Sequence, residues 1–415
     1  MPTLTQGLAG LGLSLAVALG STLAARADDR EATATQLEPC TPGELDCWQT
    51  VKPALVDTRW ADARCNDGTP GGYDFRPSPT RSNEWVILFE GGGSCDDLTL
   101  SCAQRSTNLT TTSIAGNGQW TRAAREGVLN PRANVNPDFH SANMVQLHYC
   151  SSDQWSGATS QRRITSATPQ CTNEADCGWF FSGRANARRA IESLRRDHGL
   201  RDDGSQRVLF VGTSAGGFGL AANAEAMTAL LPNTYAADGL RFVLDGAFVL
   251  DGWNVPRHYI GDSNVTSADK VALQNWRFWR AAYETFCEEK ISAAGRHPSL
   301  CTFLSIDYTY LTARPPNGLG LAVLVQNSTL DYAAIKRLHL TLTNDPARQV
   351  WRCEMTEALS AAPWLFSSGE VYHTLTASNR FLAGSPDSGT YRDLLGEFWH
   401  GAAPRRIVLN NPPCP

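Results

Sequence analysis

The most constraining feature of this chain is a serine flanked by glycines that directly follows a short apolar run. Residues 207–220 read R-V-L-F-V-G-T-S-A-G-G-F-G-L. The apolar run 208–211 predicts a buried strand, and Ser214 follows it at the centre of a G-x-S-x-G motif. A serine on such a tight strand-to-helix turn needs neighbours without bulk two residues to either side. Gly212 and Gly216 meet that requirement.

Residues 217–227 form an alanine-rich segment, which predicts a helix that ends near Leu231 and Pro232. The order strand, turn, helix distinguishes a nucleophile elbow from a G-x-S-x-G that arises by chance in a flexible loop. We therefore predict that Ser214 is a nucleophile at the N-terminus of a helix.

The first 27 residues have the pattern of a secretory signal peptide. Residues 8–25 are almost all small or apolar, and the small-x-small sequence 25–27 is followed by charged residues. Because residues 1–6 lack Lys and Arg, an uncleaved anchor or a different start codon stays open. No later stretch approaches the ~18 apolar residues that a membrane span needs. We therefore expect a secreted or periplasmic protein that has no membrane contact after cleavage.

Twelve cysteines all follow the predicted cleavage site, and an even number in an exported chain predicts disulfides. The spacing leaves the connectivity open, although four pairs would close short loops: Cys40 with Cys47, Cys95 with Cys102, Cys171 with Cys177, and Cys287 with Cys301. Zinc is the competing use of cysteine, but the chain contains no C-x-x-C pair. We therefore expect no metal and no cofactor.

Charge argues against two classes of partner. The net charge is −5 and the isoelectric point is about 5.9, so the sequence predicts no broad basic surface for nucleic acid or anionic membrane. We expect a monomer that acts on an acylated glycan or a small ester.

Further apolar runs at 85–89, 143–149, 241–245 and 320–326 predict strands, and helical spacing predicts a helix within residues 178–198. Buried strands that alternate with helices indicate an α/β protein with a mostly parallel sheet covered on both faces. We therefore predict one catalytic domain over residues 28–415.

Two segments depart from that regular alternation. Residues 28–82 are rich in Pro, Gly, Asp and Cys, which predicts an irregular or short-stranded segment pinned by disulfides. Residues 251–316 are rich in aromatic side chains and too long for a simple crossover, which predicts an insertion over the sheet.

A nucleophilic serine needs a histidine base and a carboxylate that orients the histidine. In elbow-type hydrolases these partners follow the serine in the order acid, then histidine. Asp331 stands just after the last predicted strand, and His373 lies in a glycine-containing turn, whereas His339 and His400 belong to helical patterns. The chain order alone leaves open a loop-capping role for Asp331 and a structural role for His373.

The same chemistry needs two N–H donors directed at the oxyanion. The residue after the nucleophile, Ala215, supplies one, and the loop 90–93, which reads E-G-G-G after a predicted strand, is placed to supply the other. Three glycines can also bind phosphate, but no G-K-[ST] follows them.

Taken together, these motifs resemble the successive motifs of the pectin acetylesterase and Notum family. The segments that carry the resemblance are F-E-G-G-G-S-C at 89–95, Y-C-S-S-D at 149–153, G-T-S-A-G-G at 212–217, L-D-G-A at 244–247, and V-Q at 325–326 with Asp331.

The resemblance implies an α/β-hydrolase fold and the removal of acyl groups, which are acetyl groups of pectin in plant and bacterial members and a fatty acyl group of a signalling protein in Notum. It also implies a nucleophile, an acid, a base and an oxyanion site, which are Ser214, Asp331, His373, and Gly92, Gly93 and Ala215.

Two features bear on the substrate that the resemblance implies. Gly93 stands where Notum has a tryptophan, and the surroundings of His373 match bacterial members better than animal ones. We therefore expect a secreted serine esterase that hydrolyses acetyl esters on a polysaccharide such as pectin. The alternatives are a lipase-like or polyester esterase, a protein deacylase, and a non-catalytic homologue that binds carbohydrate.

Overall fold

The computed structural model describes residues 47–54, 56–95, 102, 105, 109–111, 125–163, 178–251, 268–337, 346–385 and 387–414. Contacts divide the chain into Met1–Gln36 and Leu37–Pro415, and all described residues belong to the second unit. The predicted signal peptide lies outside the described residues.

Most of the strands belong to one mixed sheet. The strands are β1 (Gln49–Val51), β2 (Tyr73–Arg76), β3 (Glu84–Phe89), β4 (Asn143–Leu147), β5 (Thr159–Arg163), β6 (Trp179–Phe181), β7 (Arg207–Thr213), β8 (Leu240–Asp245), β9 (Val323–Ser328), β10 (Trp364–Ser368), β11 (Gly384–Ser385), β12 (Gly389–Thr390) and β13 (Arg406–Leu409). The large sheet has the order β1-β2-β4-β3-β7-β8-β9-β10-β13, while β5 pairs with β6 and β11 with β12.

The pairings from β4 to β13 along the large sheet are parallel, and β1 and β2 extend it with antiparallel pairings. Parallel strands need crossover connections, which helices supply. The helices are α1 (Gly183–Asp197), α2 (Ala215–Ala222), α3 (Ala224–Leu230), α4 (Pro232–Ala236), α5 (Ala268–Trp279), α6 (Thr285–Ala293), α7 (Leu304–Thr312), α8 (Tyr332–Arg337), α9 (Pro346–Leu359) and α10 (Tyr391–Trp399). Within the described ranges, no helix combines the length and the apolar character that a bilayer crossing requires.

The sheet is buried on both faces, as its continuous apolar strands predict. Alternate residues of β3 enter different cores: Ile87 and Phe89 pack with α1, α2 and α9, whereas Val86 and Leu88 pack with α10. This arrangement confirms the predicted α/β class with a mostly parallel, two-sided sheet.

The five predicted strands correspond to β3, β4, β7, β8 and β9. The large sheet has four further strands: β1 and β2 lie in the segment 28–82, for which only short strands or irregular structure were expected, and β10 and β13 were not predicted. Strand β2 reads Y-D-F-R, and its charged residues Asp74 and Arg76 are nevertheless buried. Strand β10 ends in two serines, and β13 is a four-residue edge strand. These three segments therefore lack the long apolar run on which the prediction depended.

The single helix predicted after Ser214 is two helices, α2 and α3, which meet at Asn223. The Asn223 side chain donates to the carbonyl oxygens of Trp155 at 2.9 Å and Gly219 at 2.7 Å. A side-chain amide that bonds to neighbouring backbone competes with the helical hydrogen-bond pattern, which accounts for the interruption.

Four disulfides are described. Cys95–Cys102 and Cys287–Cys301 were among the predicted short loops, whereas Cys65–Cys150 and Cys353–Cys414 join residues 85 and 61 positions apart. Cys40, Cys171 and Cys177, which belong to the other two predicted pairs, lie outside the described residues. The described part of the insertion contains α5, α6 and α7, and Cys287–Cys301 joins α6 to the segment before α7.

Candidate active site

Ser214 occupies a sharp turn between the end of β7 and the start of α2. Its backbone has φ 54° and ψ −122°, a conformation that a residue with a side chain rarely adopts. Its N–H donates to the carbonyl oxygen of Asp245 at 2.7 Å. A Cβ at Gly212 would collide with the carbonyl oxygen of Gly216, and one at Gly216 with that of Phe89. The glycine spacing of the motif is therefore a steric requirement of this turn.

The three side chains predicted to act together form one hydrogen-bonded chain. The Oγ of Ser214 lies 2.7 Å from Nε2 of His373, and Nδ1 of the same ring lies 2.7 Å from Oδ2 of Asp331. The histidine side chain is 28% exposed and the aspartate side chain only 6%. Solvent can therefore reach the histidine while its carboxylate partner stays in a dry environment.

Asp331 lies between β9 and α8, close to the carboxyl edge of the parallel sheet. Its second oxygen, Oδ1, accepts the N–H of Ala334 at 3.0 Å. Asp331 therefore makes both contacts at once: Oδ1 caps the loop, and Oδ2 faces the ring of His373.

The two other described histidines that follow Ser214 in the chain lie in different surroundings. His400 ends α10, is 58% exposed, and its Nε2 lies 2.9 Å from Oδ1 of Asp138. His297 caps a short helix by accepting the N–H of Ser299. His339 lies outside the described residues. Of the histidines that the structure describes, His373 is the one hydrogen-bonded to Ser214.

The glycine-rich loop 91–93 lies directly against the serine. A Cβ on Gly91 would lie 2.6 Å from the carbonyl oxygen of Thr213 and 3.0 Å from Cβ of Ser214. Gly92 and Gly93 have φ of 151° and 69°. Gly91 thus lies close to the start of α2, where Ala215 provides the first helical N–H, whereas a Cβ on Gly92 would meet Leu109 and Tyr149 and one on Gly93 would meet Arg105. A helix N-terminus favours negative charge at this place.

Two side chains that the sequence prediction missed hold this loop in place. Arg105 donates to the carbonyl oxygen of Gly92 at 2.7 Å and to Oγ of Ser152 at 3.0 Å. The indole N–H of Trp155 donates to the carbonyl oxygen of Glu90 at 3.0 Å. Trp155 follows the Y-C-S-S-D motif closely, so that motif was the available signal, whereas nothing in the sequence distinguishes Arg105 from other arginines.

Glu90 opens the glycine loop where esterase motifs have histidine. Part of the residue is exposed, but its carboxylate points inward and accepts the N–H of Tyr149 at 3.1 Å and the amide of Gln146 at 3.2 Å. Burial raises the pKa of the Glu90 carboxyl to about 7. The contacts with Gln146 in β4 and with Tyr149, two residues beyond its end, anchor the first residue of the loop to the sheet.

Two aromatic side chains of the insertion contact residues outside it. Trp279 is wholly buried, and its indole N–H donates to the carbonyl oxygen of Cys95 at 2.8 Å. Phe278 packs on Phe181 with a centroid distance of 5.0 Å. Trp253, another aromatic residue of the insertion, lies outside the described residues. Trp279 therefore links the insertion to the segment that follows the glycine loop.

A group of side chains that could hold a metal ion consists of Glu284, Cys287 and Asp307. The sulfur of Cys287 is already in the disulfide with Cys301. The two carboxylate oxygens of Glu284 accept the N–H groups of Phe286 and Cys287. This donor set does not fit a metal ion, because a disulfide sulfur is not a thiolate ligand.

A cavity of about 540 Å³ lies at the carboxyl ends of β10 and β13. Tyr372 and Leu375 line it, so it borders the loop that carries His373, but the three hydrogen-bonded residues of the site are not among its lining residues.

Comparisons with known proteins place this geometry in context. The family model described as Pectinacetylesterase matches residues 48–393. Palmitoleoyl-protein carboxylesterase NOTUM of Drosophila melanogaster is 32% identical over 225 residues, which are 54% of this chain and 31% of the relative. The human protein of that name is 27% identical over 355 residues, 80% of this chain and 65% of the relative. The chain thus spans less than two thirds of the length of these relatives.

A solved structure of the Wnt deacylase Notum from Drosophila superposes with a TM-score of 0.69 at 23% identity, covering 88% of this chain and 97% of that one. At this identity the likeness is one of fold, and it agrees with the α/β-hydrolase-like arrangement of the sheet.

Proposed function

Because this chain belongs to the pectinacetylesterase family, a family of carboxylic ester hydrolases, we propose that it is a serine esterase in which Ser214 is the nucleophile, His373 the base and Asp331 the orienting acid. The observation that carries the proposal is the chain of two 2.7 Å hydrogen bonds through the imidazole, at a serine with a strained backbone. A nucleophile, a base and a carboxylate in that order are the requirements for activating a hydroxyl.

In the proposed reaction, Oγ of Ser214 attacks the ester carbonyl carbon while Nε2 of His373 accepts the hydroxyl proton. The N–H groups of Ala215 and of Gly92 or Gly93 stabilise the oxyanion. The intermediate then collapses, the alcohol leaves with the proton from His373, and the acyl group stays on Ser214. Water attacks this acyl-enzyme with the same histidine as base, which releases the acid and restores the serine.

For the substrate, we propose short acyl esters, acetyl in particular, on a polysaccharide such as pectin. The burial of Trp279 supports this choice, because this aromatic side chain of the insertion is part of a buried core and is not free to line a long acyl channel. The four disulfides among the described residues support an oxidising location, and we propose a secreted or periplasmic monomer.

A fatty-acyl deacylase is the second candidate, since the curated relatives are named palmitoleoyl-protein carboxylesterases. The two candidates differ in the acyl length that the enzyme prefers. The test measures kcat/KM on p-nitrophenyl esters from acetyl to octanoyl, together with acetate release from acetylated pectin and xylan, with Ser214→Ala as the blank. We expect acetyl to exceed octanoyl. Preference for octanoyl without acetate release from either polymer would favour the deacylase.

A further inference from the structure

Asp245, the last residue of β8, contacts both the nucleophile and the loop that carries the histidine. Its carbonyl oxygen accepts the N–H of Ser214 at 2.7 Å. Its carboxylate accepts the N–H of Leu375 at 3.0 Å and that of Thr376 at 2.7 Å. These donors stand two and three positions after His373. One residue therefore bonds to the backbone on both sides of the contact between Ser214 and His373.

The carboxylate of Asp245 is wholly buried. With its amide nitrogen turned toward Asp245, Gln326 donates to Oδ1, and its oxygen accepts from the Tyr372 hydroxyl at 3.2 Å. The titratable groups that act on Asp245, or on which it acts, are His373, Tyr372 and Tyr391. Burial raises the pKa of the carboxyl to about 7 although three N–H groups point at it. A buried acceptor with this many donors has a specific structural task.

The next residue completes the surface on which the histidine loop rests. Gly246 has φ 65°, and a Cβ there would lie 2.6 Å from the carbonyl oxygen of His373 and 3.1 Å from its Nδ1. The end of β8 thus touches the ring and the backbone of His373 directly. The imidazole therefore lies beside Gly246, and the residue before Gly246 accepts the N–H groups of Leu375 and Thr376.

We propose that Asp245 is a positioning residue for hydrolysis, which holds the His373 loop and the Ser214 N–H on one rigid strand end so that Nε2 faces Oγ. This rests on the roles proposed for Ser214 and His373. Asp245 does not touch the substrate in this scheme. It acts by fixing the distance between the base and the nucleophile, and a misplacement of about 1 Å can reduce turnover about 100-fold.

Two substitutions distinguish the contribution of Asp245 as a hydrogen-bond acceptor from the contribution of its negative charge. Asp245→Ala leaves the N–H groups of Leu375 and Thr376 and the Gln326 amide without their acceptor. In Asp245→Asn, the oxygen can still accept both N–H groups, because the Gln326 amide can reverse and accept from the new NH2. We expect Ala to lower kcat about 30-fold or more while KM changes less than about threefold, and Asn to restore kcat to within about threefold of wild type.

The matched control is Glu284→Ala. It also removes a buried carboxylate that accepts two backbone N–H groups, but these donors belong to α6 and not to the loops of residues 214 and 373. It is expected to lower Tm and to leave kcat within about twofold of wild type. A fall in kcat as large as that of Asp245→Ala would mean that loss of any buried carboxylate slows the enzyme, and would overturn the proposal.

Wild-type kcat in a folded Asp245→Ala enzyme would refute the positioning role, as would an Asn enzyme as slow as the Ala enzyme. If Ala does not fold, Asp245→Glu decides, because it keeps the charge and moves the acceptors about 1.5 Å along the side chain. We expect it to lose kcat about 10-fold with KM unchanged, and wild-type kcat would refute the proposal. Activity that survives in Ser214→Ala would instead refute the proposed function itself.

Discussion

The C-terminal tail is cross-linked to α9 by Cys353–Cys414, and removing this bond tests how much a surface disulfide contributes to stability. The double variant Cys353→Ser, Cys414→Ser leaves no core cavity, because Cys353 is half-buried and Cys414 is exposed. The bond closes a loop between residues 61 positions apart. The chain-entropy relation gives about 4 kcal/mol for a loop of that length.

The expected change in Tm follows from the size of the domain. An unfolding entropy of about 2.1 cal/mol/K per residue over roughly 370 residues gives about 0.8 kcal/mol/K. A loss of about 4 kcal/mol then lowers Tm by about 5 °C. Differential scanning calorimetry at two scan rates measures the shift and shows whether unfolding is reversible.

Direct contacts of the tail provide the control. Arg352 donates to Oδ1 of Asn411 at 2.9 Å and to the carbonyl oxygen of Pro412 at 2.5 Å. Arg352→Met removes these bonds and keeps the disulfide, and we expect a fall in Tm smaller than that of the double variant. If the double serine variant melts within about 1 °C of wild type, loop entropy does not determine how much this disulfide stabilises the protein, and the prediction is wrong.

Four further outcomes are expected. Ser214→Ala lowers kcat at least ~10³-fold and leaves Tm unchanged within about 2 °C, because it removes one hydroxyl. His373→Ala and Asp331→Asn each cripple turnover, and combining either with Ser214→Ala adds little, because the three groups act as a unit. Wild-type activity falls as the pH is lowered, because a protonated His373 cannot accept the serine proton. Asp307→Asn melts higher than wild type at pH 8, and the gain shrinks toward pH 4.

The sign of the last prediction comes from burial. Asp307 is wholly buried beside Glu284, and desolvation together with the neighbouring carboxyl raises its pKa well above 3.8. Because the folded state binds this proton more tightly than the unfolded state, the stability that the carboxyl of Asp307 contributes is complete below pH 3.8 and is lost as the pH rises. The amide side chain of the Asp307→Asn variant does not titrate, so the variant keeps its stability as the pH rises. Equal gains in Tm at pH 4 and pH 8 would contradict this reasoning.

The control for the histidine is His400→Ala. This residue is exposed and bonds to Asp138, so its loss is expected to leave kcat within about twofold of wild type. If His400→Ala is crippled while His373→Ala stays active, the base is His400 and the assignment of His373 is wrong.

Local features were predictable from the sequence because their physics is local. The elbow at Ser214 depends on glycine spacing within five residues, and the continuous apolar runs of the parallel strands predict burial on both faces of the sheet. Chain order restricted the acid and the histidine to a few residues, but only the fold brings Asp331 and His373 within hydrogen-bond distance.

What escaped prediction depends on tertiary contacts. Asp74 and Arg76 sit in a buried strand because partners elsewhere satisfy them, as the ion pair of Asp74 with Arg125 shows. Asp245 reads as an ordinary carboxylate at a strand end until the histidine loop packs on it. Arg105 reaches Gly92 from a separate segment, and no local pattern distinguishes it.

The nested arrangement of two disulfides has a consequence for the synthesis of this protein. Cys65 pairs with Cys150, and both Cys95 and Cys102, which pair with each other, lie between them in the chain. A growing chain therefore presents Cys95 and Cys102 to Cys65 before its native partner has been translated. A bond formed at that stage between Cys65 and either of them must later exchange, a reaction that takes seconds to hours depending on the oxidant and isomerase. We therefore expect the yield of native protein to depend on a thiol isomerase in the producing host, even where the host oxidises thiols readily.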